Sequence, residues 1–253
     1  MLRWKEERQG ETALLIEGAR RIGKSTIVEE FAKNEYSSYI LVDFSKTATE
    51  INDLFNDLSD LNYIFLRLQL NYNVSLKERK SLIIFDEVQN NPKARQAIKH
   101  LVKDHRYDYI ETGSLISIRK NVQNIIIPSE ETRITMHPMD FEEFRWAMGD
   151  NVSFTLLKTV LEKKQPLGEA IHRKLMRDFR LYMLVGGMPQ AVDKYIKTND
   201  LSAVDTVKRD IIALYEEDLR KIDTSGKATA MFDAIPSQLS KNASRYTIST
   251  VIP

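Results

Sequence analysis

The 253-residue chain contains no cysteine, which excludes disulfides and thiolate metal sites and fits a reducing, cytoplasmic setting. No apolar run approaches the length of a membrane span. The first residues, Met1-Leu2-Arg3-Trp4-Lys5-Glu6-Glu7-Arg8, are charged throughout and lack the apolar centre of a secretory signal. Histidine is scarce and scattered, at His100, His105, His137 and His172. The first two are five apart, which misses the spacing of a zinc pair on one helix face. The net charge is only +1, so composition gives no general argument for a nucleic-acid partner.

What is present is a globular composition, 42% hydrophobic and 29% charged, with room for one large domain or two smaller ones. The run Gly18-Ala19-Arg20-Arg21-Ile22-Gly23-Lys24-Ser25 fits the phosphate-binding pattern G-x-x-x-x-G-K-[ST]. It follows a buried-strand run, Leu14-Leu15-Ile16, and opens a stretch from Thr26 with Ile27, Val28 and Phe31 on one helical face. Strand, loop and helix are the context in which the pattern has meaning. Gly18 and Gly23 admit backbone torsions closed to other residues, letting successive N–H groups of Gly18–Thr26 turn around a polyphosphate at the positive end of the helix. Lys24 reaches the β- and γ-phosphates in such a site, and the Ser25 hydroxyl ligates the accompanying Mg²⁺. Arg20 and Arg21 either help to neutralise phosphate or face solvent.

A second constellation lies at the end of Leu82-Ile83-Ile84-Phe85, where Asp86-Glu87 stands at the edge at which parallel sheets place ligands. Asp86 is suited to holding Mg²⁺ through water. Glu87 is suited to orienting or deprotonating a water aimed at the γ-phosphate, which favours hydrolysis over simple binding. Five strands are expected, over Ala13–Glu17, Tyr39–Phe44, Leu82–Asp86, Tyr107–Thr112 and Arg133–Met136, alternating with helices. The intervening helices include one through Ile51, Leu54, Phe55 and Leu58 and another over Ala94–Lys103. A whole strand-helix unit separates the loop from Asp86-Glu87, the arrangement of ATPases in which an extra strand lies between the two motif strands. The guanine-reading sequence Asn-Lys-x-Asp is absent, so adenine is the expected base. Beyond Pro138 the pattern turns helical, with helices over Gly168–Leu184, Gln190–Lys197 and Leu201 to about Ile222, and the boundary is expected near Asp140–Asp150.

Together these runs, with Phe85-Asp86-Glu87-Val88-Gln89, Thr112-Gly113-Ser114, His137-Pro138-Met139-Asp140-Phe141-Glu142-Glu143-Phe144 and Gly186-Gly187-Met188-Pro189, resemble the prokaryotic AAA-type ATPases that carry a C-terminal region of unknown function. That group is related to the STAND and archaeal ATPases. The resemblance extends from about Arg8 to Leu239 and implies a P-loop NTPase three-layer α/β core with a mostly parallel five-stranded sheet. A helical lid domain and the start of a winged-helix-like segment follow. The implied domains are residues 1–145 for the core, 146–225 for the lid and 226–253 for an incomplete winged-helix-like start.

The resemblance also implies site roles. Thr112 or Ser114 would sense the γ-phosphate, and Gly187-Met188-Pro189, through Pro189, would pack on adenine. An arginine would complete the γ-phosphate site in cis or from a neighbouring subunit, with Arg133, Arg119 and Arg180 as candidates. Tyr246–Ile252 reads as one strand of the winged-helix-like segment, within which the chain would stop short. The implied activity is hydrolysis of Mg·ATP that drives or gates movement of the helical domain. The alternative is a nucleotide-gated protein or DNA interaction module with negligible turnover. The expected partners are ATP and ADP, a protein partner or a second copy, with nucleic acid weakly supported by Lys241, Arg245 and Tyr246, and no membrane.

Overall fold

The alternating pattern yields a five-stranded sheet of β1 (Ala13–Gly18), β2 (Ser38–Asp43), β3 (Ser81–Asp86), β4 (Asp108–Ser114) and β5 (Glu131–Met136). The strands pair in the order β2-β3-β4-β1-β5, every pairing parallel. The computed structural model describes residues 1–114, 129–240, 245–248 and 251, divided into two compact units, Met1–Pro138 and Met139–Pro253.

Parallel strands buried on both faces need continuous apolar runs, and every residue of β3 is buried. One face carries α1 (Leu2–Arg8) and α2 (Lys24–Glu35), whose Trp4, Val28, Phe31 and Ala32 pack on Leu14, Ile16, Leu82, Ile84 and Ile110. The charged N-terminal stretch is thus a helix pinned by one tryptophan. Ile27, expected on the inner face of α2, is 44% exposed instead. The opposite face carries α3 (Thr49–Asp53), the 3-10 turn Leu54–Asn56, α4 (Leu61–Tyr72) and α5 (Pro92–Asp104), which bury Ile51, Phe55, Ile64, Phe65, Leu68, Ala97, Ile98 and Leu101 against Ile83, Phe85 and Tyr109.

The helix expected through Leu58 is shorter. It passes into a 3-10 turn at Leu54–Asn56, and a separate helix, α4, restarts where the Asp60 side chain accepts from the Tyr63 N–H at 3.1 Å. For α5, Asn91 caps the helix and Pro92 occupies its first turn, so it begins two residues before Ala94.

The strand order places β4 between β1 and β3, as the spacing of the two motifs implies. Register brings Gly18 level with Ser114 and Met136, and Asp86 level with Asp43, so the C-terminal ends form one edge.

The second unit is helical: α6 (Phe141–Ala147), α7 (Ser153–Glu162), α8 (Glu169–Val185), α9 (Pro189–Thr198), α10 (Leu201–Ile222), α11 (Lys227–Asp233) and α12 (Ile235–Leu239). Its core joins Phe144, Val185, Ala191, Val192 and Val204, which is why α6 belongs with the helices that follow it. Asp140 and Glu143 form a reciprocal capping box at the start of α6. Arg145 is buried between Asp150 and Asp178.

The strand expected at Tyr246–Ile252 is not formed by its described residues. Tyr246 instead donates its hydroxyl to the Met231 carbonyl at 2.7 Å, and Val251 N–H turns back to Ile248 O at 2.9 Å. Lys241 lies outside the described residues. Among the described residues, no helix is long and apolar enough to cross a membrane.

Candidate active site

β1 delivers the loop to the C-terminal edge of the sheet and α2 receives it. Gly23, at φ 91°, caps α2, and Arg21 also takes a left-handed torsion at φ 67°. Gly18 does not, so its glycine is required for a different reason from the torsional one the sequence suggests. A Cβ there would lie 2.3 Å from the Met136 carbonyl oxygen and 2.7 Å from Ile22 Cδ1. Close backbone approach between β1 and the end of β5 demands the missing side chain. Ile22 anchors the loop centre in the interior, while Ala19 and Arg20 are half-buried and Arg21 and Thr26 are exposed.

Lys24 begins α2 and is buried, donating to Ala19 O at 2.7 Å and Gly18 O at 3.3 Å. Burial lowers its pKa; Glu87 and Asp86 oppose that, and Arg20 adds to it. The ammonium is therefore held where its charge is poorly solvated, a condition that strengthens attraction to an anion.

Across the edge, Ser25 Oγ donates to Asp86 Oδ1 at 2.7 Å, and Thr112 Oγ1 donates to the same oxygen. The Glu87 N–H reaches Thr112 Oγ1 at 3.4 Å. Asp86 thus gathers a hydroxyl from α2 and one from β4, joining three elements at one carboxylate. Glu87 leaves β3 in a left-handed torsion, φ 53°, and caps the 3-10 turn Val88–Asn90. Its Oε2 accepts from Gln89 Nε2, and Gln89 is itself buried. Ser114, buried at the end of β4, is level with Gly18.

The ligand types suit a hard divalent cation, because the Ser25 hydroxyl and Asp86 carboxylate are oxygens already within 2.7 Å of each other. Among the described residues, no group of three or more His, Cys, Asp or Glu side chains stands ready to hold a metal. An ion here would draw its other ligands from phosphate and water, the usual manner of Mg²⁺.

The other sequence candidates belong to other elements. Arg133 is level with Leu15, three residues before the Gly18 register, which is about 10 Å along a strand. Its guanidinium pairs with Glu131 at 2.6 Å. Pro189 opens α9 in the second unit and Arg180 lies on α8. Gly187 has a local reason, since a Cβ would sit 2.1 Å from Met139 O, and Met139 N–H donates to Gly187 O at 2.8 Å. Arg119 lies outside the described residues.

Sequence reasoning missed Gln89 as a partner of Glu87. It also missed a buried ion network in which Arg95 binds Glu111 at 2.9 Å and Glu131 at 3.0 Å. The available signal was a glutamate inside the apolar run Tyr109-Ile110-Glu111, where an unpaired charge is not tolerated.

A family model described as AAA domain matches residues 10–145, and one described as Domain of unknown function (DUF8612) matches residues 176–252. No curated protein matches the chain. Similar solved structures include Drosophila ORC bound to DNA, at 16% identity and TM-score 0.44, covering 97% of this chain and 67% of that one. The Aeropyrum pernix ORC1 protein in complex with DNA shows 12% identity and TM-score 0.40, with 99% and 79% covered. C. elegans PCH-2 shows 10% identity and TM-score 0.40; the match takes in 80% of this chain and 62% of that one. The AAA match spans more than half of the 253 residues and coincides with the parallel sheet and its loop, so the chain belongs to the AAA-type P-loop ATPases and continues into a C-terminal domain of unknown function.

Proposed function

We propose that this chain binds Mg·ATP on the loop Gly18–Thr26 and hydrolyses it with a water oriented by Glu87, using the nucleotide to move its helical region. The observation that supports this most strongly is the convergence of Ser25, Asp86 and Thr112 at the sheet edge that also carries the loop and Lys24. Mg²⁺ would neutralise charge on the β- and γ-phosphates. Ser25 and Asp86 would hold it. Lys24 exchanges its bonds to Gly18 and Ala19 carbonyls for phosphate oxygens, and Arg20 adds positive charge nearby. Glu87 accepts a proton or a hydrogen bond from the attacking water. Thr112, hydrogen-bonded to Asp86 and reached by the Glu87 N–H, reports the occupancy of the γ-phosphate position, with Ser114 beside it on the same strand.

Arg133 is not assigned to the phosphate, given its register and its bond to Glu131. The proposed completing arginine is Arg119, Arg180 or one from a second copy. Adenine is the proposed base, Pro189 its proposed contact, and the cytoplasm the proposed location. Movement would pass along the chain from Met136, whose carbonyl abuts Gly18, to Met139, whose carbonyl accepts from Tyr182 at 2.8 Å.

Replacing Glu87 by Gln should cut phosphate release by about a hundredfold or more while ATP remains bound. Replacing Lys24 by Ala should weaken ATP binding in a direct titration. Unchanged hydrolysis in the first variant would overturn the base, and unchanged affinity in the second would overturn the site.

A further inference from the structure

Glu87 does not hang freely at the end of β3. Its left-handed torsion drops the chain into the 3-10 turn Val88–Asn90, closed by Asn90 N–H to Glu87 O at 2.9 Å. Val88 is fully buried beneath that turn and Gln89 is 8% exposed. Asn91 then caps α5 by accepting from Ala94 N–H at 3.0 Å, and its amide reaches Asn52 O at 3.2 Å. The five-residue stretch is therefore fastened at both ends and in the middle. From this fixed turn, Gln89 Nε2 donates to Glu87 Oε2.

An amide donor to one carboxylate oxygen fixes the direction of the group. It occupies Oε2 and leaves Oε1 to accept from the attacking water. We propose that Gln89 is the positioning residue for Glu87, selecting the oxygen that meets the attacking water; the role rests on the reading of Glu87 as the base. The other charged groups here are Asp86 on β3, Lys24 at the start of α2 and Arg20 in the loop, with Lys24 interacting electrostatically with all three acidic and basic neighbours, Glu87, Asp86 and Arg20. None of these three carries an amide able to donate to Glu87. Gln89 approaches from the turn that also bears Glu87, so the pair keeps its geometry when the loop rearranges around phosphate.

Two substitutions test this in the full chain. Gln89→Met keeps length and burial but removes the donor. Gln89→Glu keeps length and burial but turns the donor into a second acceptor, which cannot hold Oε2. Steady-state phosphate release and ATP affinity by titration are measured for both, beside the parent and Glu87→Gln, with thermal melting as a check on folding. The expected result for both is a fall of about tenfold or more in kcat with KM and ATP affinity within about twofold of the parent. A purely structural glutamine would lower the melting temperature and leave kcat unchanged below the melt.

Turnover in Gln89→Met equal to or above that of the parent overturns the proposal, as does a loss of turnover in it that is matched by an equal loss of ATP affinity. Equal turnover of Glu87→Gln and the parent overturns the base and the positioning role together. A base-dependent turnover that ignores position 89 overturns the positioning role alone.

Discussion

Replacing Glu111 by Gln should remove a loss of stability that the α/β unit otherwise suffers as pH rises from about 5 to about 8. Glu111 lies inside β4 with no exposed surface, and Arg95 binds one of its oxygens at 2.9 Å while also binding Glu131 at 3.0 Å. The shared guanidinium does not offset burial. Burial foremost, with Glu131 adding and Arg95 and Arg133 opposing, raises the carboxyl from 4.5 to about 8. An acid raised in this way binds its proton more tightly in the folded state. Its stabilising contribution is complete below about pH 4.5 and is lost as pH climbs through about 8.

That interval corresponds to about 5 kcal/mol, lost at about 1.4 kcal/mol per pH unit. Glutamine keeps the carbonyl acceptor for Arg95 and cannot ionise. The difference in unfolding free energy, parent minus Glu111→Gln, should therefore fall steadily between about pH 5 and pH 8, cancelling every other titrating group common to both. The chain's two tryptophans make the assay specific. Trp4 is buried in the α/β unit, whereas Trp146 is 48% exposed in the helical unit, so a Trp146→Phe background leaves Trp4 reporting on the α/β unit alone. Urea titrations followed by its fluorescence give the difference at each pH. A flat difference, or one that moves in favour of the parent as pH rises, would refute the reasoning, because Arg95 would then be keeping Glu111 ionised.

Replacing Arg95 by Met should destabilise the same unit by about 3–5 kcal/mol at neutral pH, because it leaves the buried Glu111 without its donor and takes from Glu131 one of its two guanidinium partners; the Trp4 signal reads the loss. Gly187→Ala drives a Cβ to 2.1 Å from Met139 O and should cost at least about 2 kcal/mol, seen as faster hydrogen exchange in the first turns of α9. Ser25→Ala removes the hydroxyl that meets Asp86 at 2.7 Å and should raise the Mg²⁺ concentration for half-maximal turnover by about tenfold; an unchanged requirement would take Ser25 out of the metal's shell.

All five strands are legible in the sequence, β1 and β3 because a buried parallel strand needs an unbroken apolar run such as Leu82-Ile83-Ile84-Phe85, and the edge strand β5, half-buried to exposed, through its β-branched Thr132, Ile134 and Thr135. The loop is legible because its glycines and Lys24-Ser25 are local in sequence. Contacts that depend on register are not. Nothing in the chain announces that Arg133 falls level with Leu15 and finds Glu131, or that Thr112 reaches Asp86 across a strand boundary. Helix α4 escaped notice because its row of buried residues, Ile64, Phe65 and Leu68, sits among equally apolar but exposed Leu66 and Leu70. Gly187 also has a local requirement that the sequence does not show, the Met139 backbone against it. A glycine required by a neighbour's carbonyl looks the same in sequence as one required by a nucleotide.

One torsion separates the work of two adjacent carboxylates. Alternation along β3 places Asp86 on the same face as Leu82 and Ile84, toward α2, where the Ser25 hydroxyl meets it. Continued extension would send Glu87 to the opposite face, into the apolar cluster of Phe55, Phe85 and Tyr109. The left-handed turn at Glu87, at an intrinsic cost of about 1 kcal/mol or more, keeps its carboxylate at the edge and buries Val88 instead. The two acids then differ in their company. Asp86 is met by hydroxyls, which rotate and also accept, so it can exchange them for a hydrated cation. Glu87 is met by the Gln89 amide on a fixed turn, which preserves its direction. The order Asp-Glu is therefore not interchangeable, since only the second position follows the bend.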